Sequence, residues 1–160
     1  MRSLVVFYSR TGTTRTVAHE IRKCLGSDIC EIKADNYPRG PIGYLMAGWD
    51  AMAKKLPDIK YHKGMTGVPS GYDVVLIGTP VWGFTMASPV RSYITQNKGR
   101  FRKLAFFCTQ GGSGSDQTFS SMEELSGLKA SAKLALTKKR VKQGSYLEYV
   151  KGFTGSLNGS

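Results

Sequence analysis

The chain has 160 residues, enough for one folded unit with a real core and short for two, and its 41% hydrophobic and 21% charged residues are ordinary for a globular protein. No apolar run approaches the roughly 20 residues of a membrane-crossing helix, which excludes an integral membrane protein of the helical type. Lysine and arginine number 23 against 11 aspartates and glutamates, so the chain carries a net charge of +12 that any account of its partners must meet.

The apolar run Leu4–Tyr8 predicts a strand over Ser3–Tyr8, starting so near Met1 that no secretory leader is expected. Val17, Ile21 and Leu25 recur at helical spacing and predict a helix over Thr13–Leu25, closed by Gly26. Asp28–Lys33 alternates apolar with polar, like a strand nearer a sheet edge. Between Pro38 and Pro57, Ile42–Met52 reads as a helix whose Leu45, Trp49 and Met52 share one apolar face. Packing of that face on the sheet is the expectation, with a substrate lid built on Tyr44 and Trp49 as the alternative. Tyr72–Gly78 is the clearest fully buried strand, and Ser88-Pro89 then supplies an N-cap and a first-turn proline for the next helix.

Lys103–Cys108 predicts another buried strand, Gln117–Leu125 a helix, and Ala132–Leu136 a weaker final strand. Ser145 and Glu148 have capping-box spacing ahead of a terminal helix, and Gly155–Ser160 looks ready to fray. Strand and helix signals alternate without repeats or a linker. The expectation is one domain over 1–160, an α/β three-layer sandwich with a parallel sheet covered on both faces.

The most informative stretch is Ser9-Arg10-Thr11-Gly12-Thr13-Thr14, where the first strand ends in a cluster of hydroxyls around one glycine and turns into a helix. Hydroxyl donors, a glycine that admits close backbone approach and the free N–H groups of a helix start together suit a phosphate monoester. Other phosphate loops do not fit. No lysine follows Gly12 to reach a triphosphate, and one glycine cannot make the GxGxxG of a pyrophosphate loop. No cysteine stands in the loop as a nucleophile, and no carboxylates stand at the strand end to hold magnesium.

This segment resembles the [ST]-x-T-G-x-T phosphate loop of the flavodoxin family, which holds the 5′-phosphate of flavin mononucleotide (FMN). The resemblance implies a sheet of order 2-1-3-4-5 and flavin-ring loops after later strands. Two such segments exist: Gly78-Thr79-Pro80-Val81-Trp82-Gly83-Phe84-Thr85-Met86-Ala87 and Thr109-Gln110-Gly111-Gly112-Ser113-Gly114-Ser115-Asp116. In a doubly wound sheet, ligands gather at the carboxyl ends of the strands, where both segments fall. Trp82 or Phe84 could cover a ring face or edge, aromatic pairing adding roughly 0.5–1.5 kcal/mol beyond burial. Backbone near Val81, Gly83, Gly111 and Gly112 could serve the pyrimidine edge, and Thr79 and Thr109 the ribityl chain. Thr79–Gly83 with Ser88-Pro89-Val90 is similar to the family's second flavin loop, and Thr109–Gly114 to its third. The third has no tyrosine where carrier members often stack one on the ring, which leaves an outer ring face open to a partner or substrate.

The rest of the sequence narrows the chemistry. Cys24, Cys30 and Cys108 form no CxxC pair, as expected of spectator thiols in a reducing cytoplasm. His19 and His62 are the only histidines and sit in no ligand-like cluster, so no metal site is expected. Asp116 is the only carboxylate in the candidate loops and reads as a helix-cap residue, leaving no catalytic acid, base or nucleophile. Basic clusters at Lys98–Lys103 and Lys138–Lys142 lack the interleaved aromatics of a nucleic-acid stacking platform. The reading is an FMN-binding redox protein that passes electrons between protein partners. An FMN-dependent NAD(P)H:quinone-type reductase is the alternative, with Arg10 and Arg15 near the nicotinamide phosphates, and a flavin-loaded regulatory module is the third. Carrier flavodoxins are typically acidic, so a basic one is expected to have a less reducing second potential and an acidic redox partner.

Overall fold

The structure is a computed structural model and describes residues 1–34, 37, 38 and 40–159. Its centre is one sheet of strands β1 (Ser3–Tyr8), β2 (Asp28–Lys33), β3 (Lys60–Tyr61), β4 (Val74–Trp82), β5 (Thr85–Met86), β6 (Leu104–Gln110) and β7 (Ala130–Thr137). The order is β3-β2-β1-β4-β6-β7, with β5 paired to β4 alone. The five longer strands run parallel in the expected order 2-1-3-4-5. The two-residue strands β3 and β5 pair antiparallel and were not expected.

Helices cover both faces. On one, α1 (Thr13–Leu25) and α6 (Leu147–Asn158) bring Val17, Ala18, Ile21, Val150, Phe153 and Leu157 against Val5, Phe7, Leu76 and Phe107. The short α5 (Lys138–Lys142) adds Val141 there. On the other, α2 (Pro41–Met52), α3 (Ser88–Asn97) and α4 (Ser115–Ser126) pack Ala47, Ala51, Val90, Tyr93, Phe119 and Met122 over Val6, Ile32, Ile77 and Phe106. Both faces being covered, β4 and β6 are apolar at nearly every position. Among the described residues no helix is long and apolar enough to cross a membrane.

Four expectations are corrected. Helix α2 turns Leu45, Trp49 and Met52 outward and buries Gly43, Ala47 and Ala51 instead, because small side chains let it lie against the segment before it: a Cβ on Gly43 would stand 1.7 Å from the Pro38 carbonyl oxygen. Ser88 is the first residue of α3 and makes no cap bond; Ala87 is the cap. Ser145 likewise does not cap α6, since its Oγ donates to the Arg140 carbonyl and Tyr146 takes the cap position. The last residues do not fray: Gly155–Asn158 continue α6, with Leu157 seated in the core, while Ser160 lies outside the described residues.

At the far end of β7, Glu123 is a buried carboxylate that gathers Lys129, Lys133 and the Ala130 N–H. Burial opposes its charge, yet the bonds from Lys133, Ala130 and Lys129 hold its pKa at about 2. A folded-state value below the unfolded one, about 4.3, means stability that is present above the unfolded value and lost as pH falls through the folded one. Thermal melting is therefore expected to fall between about pH 5 and pH 2 by a few degrees more in the wild type than in Glu123→Gln. Parallel pH curves for the two proteins would contradict the assignment.

Candidate functional site

The carboxyl ends of β1, β4 and β6 meet at one edge of the sheet, where the chain leaves β1 for α1 on one face and β4 for α3 on the other. The turn after β1 is built on Gly12, whose φ of 99° is left-handed and costs glycine nothing. The Gly12 N–H donates to Ser9 Oγ at 3.1 Å, which folds the loop back on the strand end. Helix α1 opens directly from Gly12 with no side-chain cap and no acidic residue in its first turn. Its leading N–H groups therefore point outward with no intrahelical acceptor and a positive helix end behind them. That donor set suits an anion.

Thr14 is buried, and its Oγ1 lies 2.8 Å from Thr109 Oγ1, a hydrogen bond that joins the first loop to the end of β6. A narrow cleft of about 20 Å³ opens above this bond, lined by Arg10, Thr11, Thr13, Thr14, Pro80, Trp82 and Thr109, with Tyr44 and Lys138. Space of that size holds one bound water or one oxygen of a phosphate. The inner wall is buried backbone and pinned hydroxyls. The outer wall is softer: the Tyr44 ring has the Arg10 guanidinium at 5.8 Å and the Lys138 ammonium at 5.9 Å from its centre. Arg10 also donates to the Pro38 and Gly40 carbonyls, both at 3.0 Å, and so ties the chain ahead of α2 to the loop. Arg15 is committed elsewhere. It pairs with Glu31, whose carboxyl, disfavoured by burial, is held below its usual range by Arg15 and Lys33.

The second segment is not a loose loop. Strand β4 runs on through Trp82 and reverses over Gly83 and Phe84 into β5. Both turn residues have positive φ, 54° and 62°, the signature of a two-residue type I′ hairpin. Phe84 is bulky, left-handed and 61% exposed, an unusual combination. Trp82, expected over a flavin ring, is largely buried between Tyr8 and Tyr37, edge to face at 5.4 and 5.3 Å, and shows only a margin to the cleft. Thr79 is wholly buried and braces the hairpin root: its hydroxyl accepts the Ala87 N–H and donates to the Pro80 carbonyl. Arg91 supports the hairpin from beneath. It is 5% exposed, donates to Thr85 Oγ1 at 3.1 Å and leaves its Nε without an acceptor.

The third segment begins inside β6, where Gln110 Oε1 accepts the Ser115 N–H and so closes the turn. Gly111, Gly112 and Ser113 are exposed and do not line the cleft. Gly114 touches the hairpin, a Cβ there falling 2.9 Å from Val81 Cγ1 and 3.3 Å from Phe84. The second and third segments are thus in contact beside the cleft, and Phe84 marks their meeting. Burial pushes the Cys30 and Cys108 thiols up to about 12, so neither is a thiolate near neutral pH. Sequence reasoning missed Lys138 and Arg91 as parts of this region and named Tyr44 only within the alternative of a substrate lid. Lys138 carried a signal, as the first residue of a basic cluster immediately after the last strand.

The flavodoxin family model matches residues 2–143. The chain belongs to the flavodoxin family. Among solved structures, the flavoprotein of Lactobacillus acidophilus NCFM in complex with FMN is similar over 90% of this chain and 98% of that one, at 24% identity and a TM-score of 0.73. The apo form of the flavoprotein from the same organism is 25% identical over 84% and 91% of the two chains, with a TM-score of 0.62. Oxidised flavodoxin 2 of Bacillus cereus shares the fold over 99% and 98% of the two chains at 15% identity and a TM-score of 0.55. Among curated proteins no sequence matches. In this chain of net charge +12, the cations Arg10 and Lys138 stand at the rim of the cleft.

Proposed function

We propose that this flavodoxin binds FMN and passes electrons between protein partners in a reducing cytoplasm. The observation that carries the reading is the uncapped, acid-free start of α1 beside the Thr14–Thr109 bond: a built anion site at the strand ends of a flavodoxin fold. Ser9, Thr11, Gly12, Thr13 and Thr14 would hold the phosphate, with Arg10 and Lys138 adding positive potential at its rim. Pro80 and Thr109 would flank the ribityl chain, and Val81, Gly83, Phe84 and Gly111–Ser113 would meet the ring. When bound, FMN supplies reversible one- and two-electron transfer, and the protein supplies position and electrostatics. The excess of cations favours an acidic redox partner, drawn in by steering that salt weakens.

The purified protein, incubated with FMN and desalted, is expected to keep a yellow flavin absorption band. A colourless product would overturn the proposal. Excess NADH or NADPH in the same cuvette is expected to leave that band in place until a separate reductase is added. Rapid bleaching by the nucleotide alone would replace the carrier reading with the reductase.

A further inference from the structure

Among the described residues, helix α2 carries the longest run of exposed large apolar side chains. Ile42, Leu45, Trp49 and Met52 are 72%, 72%, 73% and 65% exposed, and Leu56, just past the helix, is 56% exposed. Their spacing is three, four, three, four, the seam by which one helix packs against another in a coiled coil. Met52 lies against Gly83, so the seam runs on to the exposed Phe84. With Met46, 46% exposed, these large side chains form a continuous apolar face of the kind that marks an interaction site rather than scattered surface residues.

We propose that this face pairs with the same face of a second copy of the chain, as two antiparallel helices related by a twofold axis level with Ala47. The seam is its own complement. Reversed about that axis, Ile42 of one copy comes opposite Met52 of the other, and Leu45 opposite Trp49, as an isologous contact requires. Charge within α2 permits the same arrangement. In a chain of net charge +12, a self-contact must avoid setting cation against cation, and α2 contains no lysine, arginine or histidine. The residues flanking the seam are Met46, Gly48 and Ala53 and, ahead of Leu56, Lys54 and Lys55; Lys55 is paired at 2.8 Å with Asp50, the one acidic residue of α2. An antiparallel pair also sets the positive end of each helix beside the negative end of the other. No residue of the phosphate loop takes part, and Phe84, which the cofactor reading sets against the ring, stands only at the end of the seam.

Sedimentation velocity of the full chain at micromolar concentration and physiological salt, with and without FMN, tests this. The expected species has a mass of about 35 kDa, twice the 17.5 kDa of one chain, in both conditions. Leu45→Glu combined with Trp49→Glu is expected to weaken the dimer at least 100-fold, because it puts four carboxylates into the paired seam. Those positions being exposed, the variant should keep the melting temperature the wild type has when diluted to single chains, whereas Lys142→Glu, outside the seam, should leave the dimer intact. On dilution through the dissociation range, wild-type tryptophan emission should shift to the red as Trp49 is uncovered. A wild type that sediments as one chain at the highest concentration, a double variant that remains a dimer, or a single-chain species that instead captures an acidic protein through this face would overturn the proposal.

Discussion

Thr11→Asp is expected to weaken FMN binding by about three orders of magnitude while leaving riboflavin binding unchanged. Thr11 is exposed in the loop, at the cleft margin, so the substitution should not disturb the fold by more than about 0.5 kcal/mol. What it changes is the field. A carboxylate at about 4 Å from one phosphate charge, at an effective dielectric constant near 20, costs about 4 kcal/mol, which is a factor of roughly 1,000 in affinity. Thr11→Val removes a donor without adding charge and should cost only about tenfold, within the range of one hydrogen bond to a charged group. Riboflavin has the ring and ribityl chain but no phosphate, so it isolates the effect. Fluorescence titration of the apo protein with both ligands reads all of these. Equal losses for FMN and riboflavin would show that Thr11 does not face the phosphate.

Gly78→Ala should destabilise the protein by about 3 kcal/mol, the upper end of ordinary core overpacking, and lower the melting temperature by roughly 6–12 °C. Gly78 lies in register with Phe7 of β1 and Phe107 of β6, in the middle of the sheet. The Phe107 ring leans across it: a Cβ there would stand 2.1 Å from Cζ and 2.3 Å from Cε2. That ring is fully buried among Phe7, Val17, Ala105 and Leu136 and has nowhere to retreat. Phe107→Leu in the Gly78→Ala background should recover part of the loss, so the two substitutions should be non-additive by more than about 0.5 kcal/mol. Denaturant unfolding of the two single variants and the double variant measures this. Additive losses would mean that the ring does not occupy the space above Gly78.

The parallel sheet was legible because its signals are dense and local. Val74–Ile77 and Leu104–Cys108 are continuous apolar runs of strand length, and glycine or proline punctuates the chain on either side. The phosphate loop was legible for a similar reason, with hydroxyls, glycine and helix start in six consecutive residues. What failed to show were relations between distant residues. Tyr44 and Lys138 are 94 positions apart and meet only because α2 and the end of β7 converge on the first loop. The facing of α2 was misread because a pattern of large apolar residues is assumed to point inward. Here the close approach of the backbone at Gly43, Ala47 and Ala51 decided the matter. The β4–β5 hairpin went unrecognised because Gly83-Phe84 lacks the asparagine or aspartate that usually announces a type I′ turn. A residue that contradicts its turn marks a place where local preference yields to another requirement, and this one stands beside the cleft.

The hydrogen bond between Thr14 and Thr109 spans 95 residues of chain and is made between protein groups alone. Folding itself has thus brought the first and third ligand-facing segments together and removed their freedom to drift apart. An incoming phosphate meets a finished mould on its inner side and has little ordering left to impose there, the saving that separates a preorganised site from one assembled around its guest. Association should then proceed as a single bimolecular step, its rate rising in proportion to ligand concentration with no plateau from a slow closing motion. How long the ligand stays is left to the outer wall, where Tyr44 lies near two cations. Replacing Tyr44 should therefore change the rate of dissociation and leave the rate of association as it is.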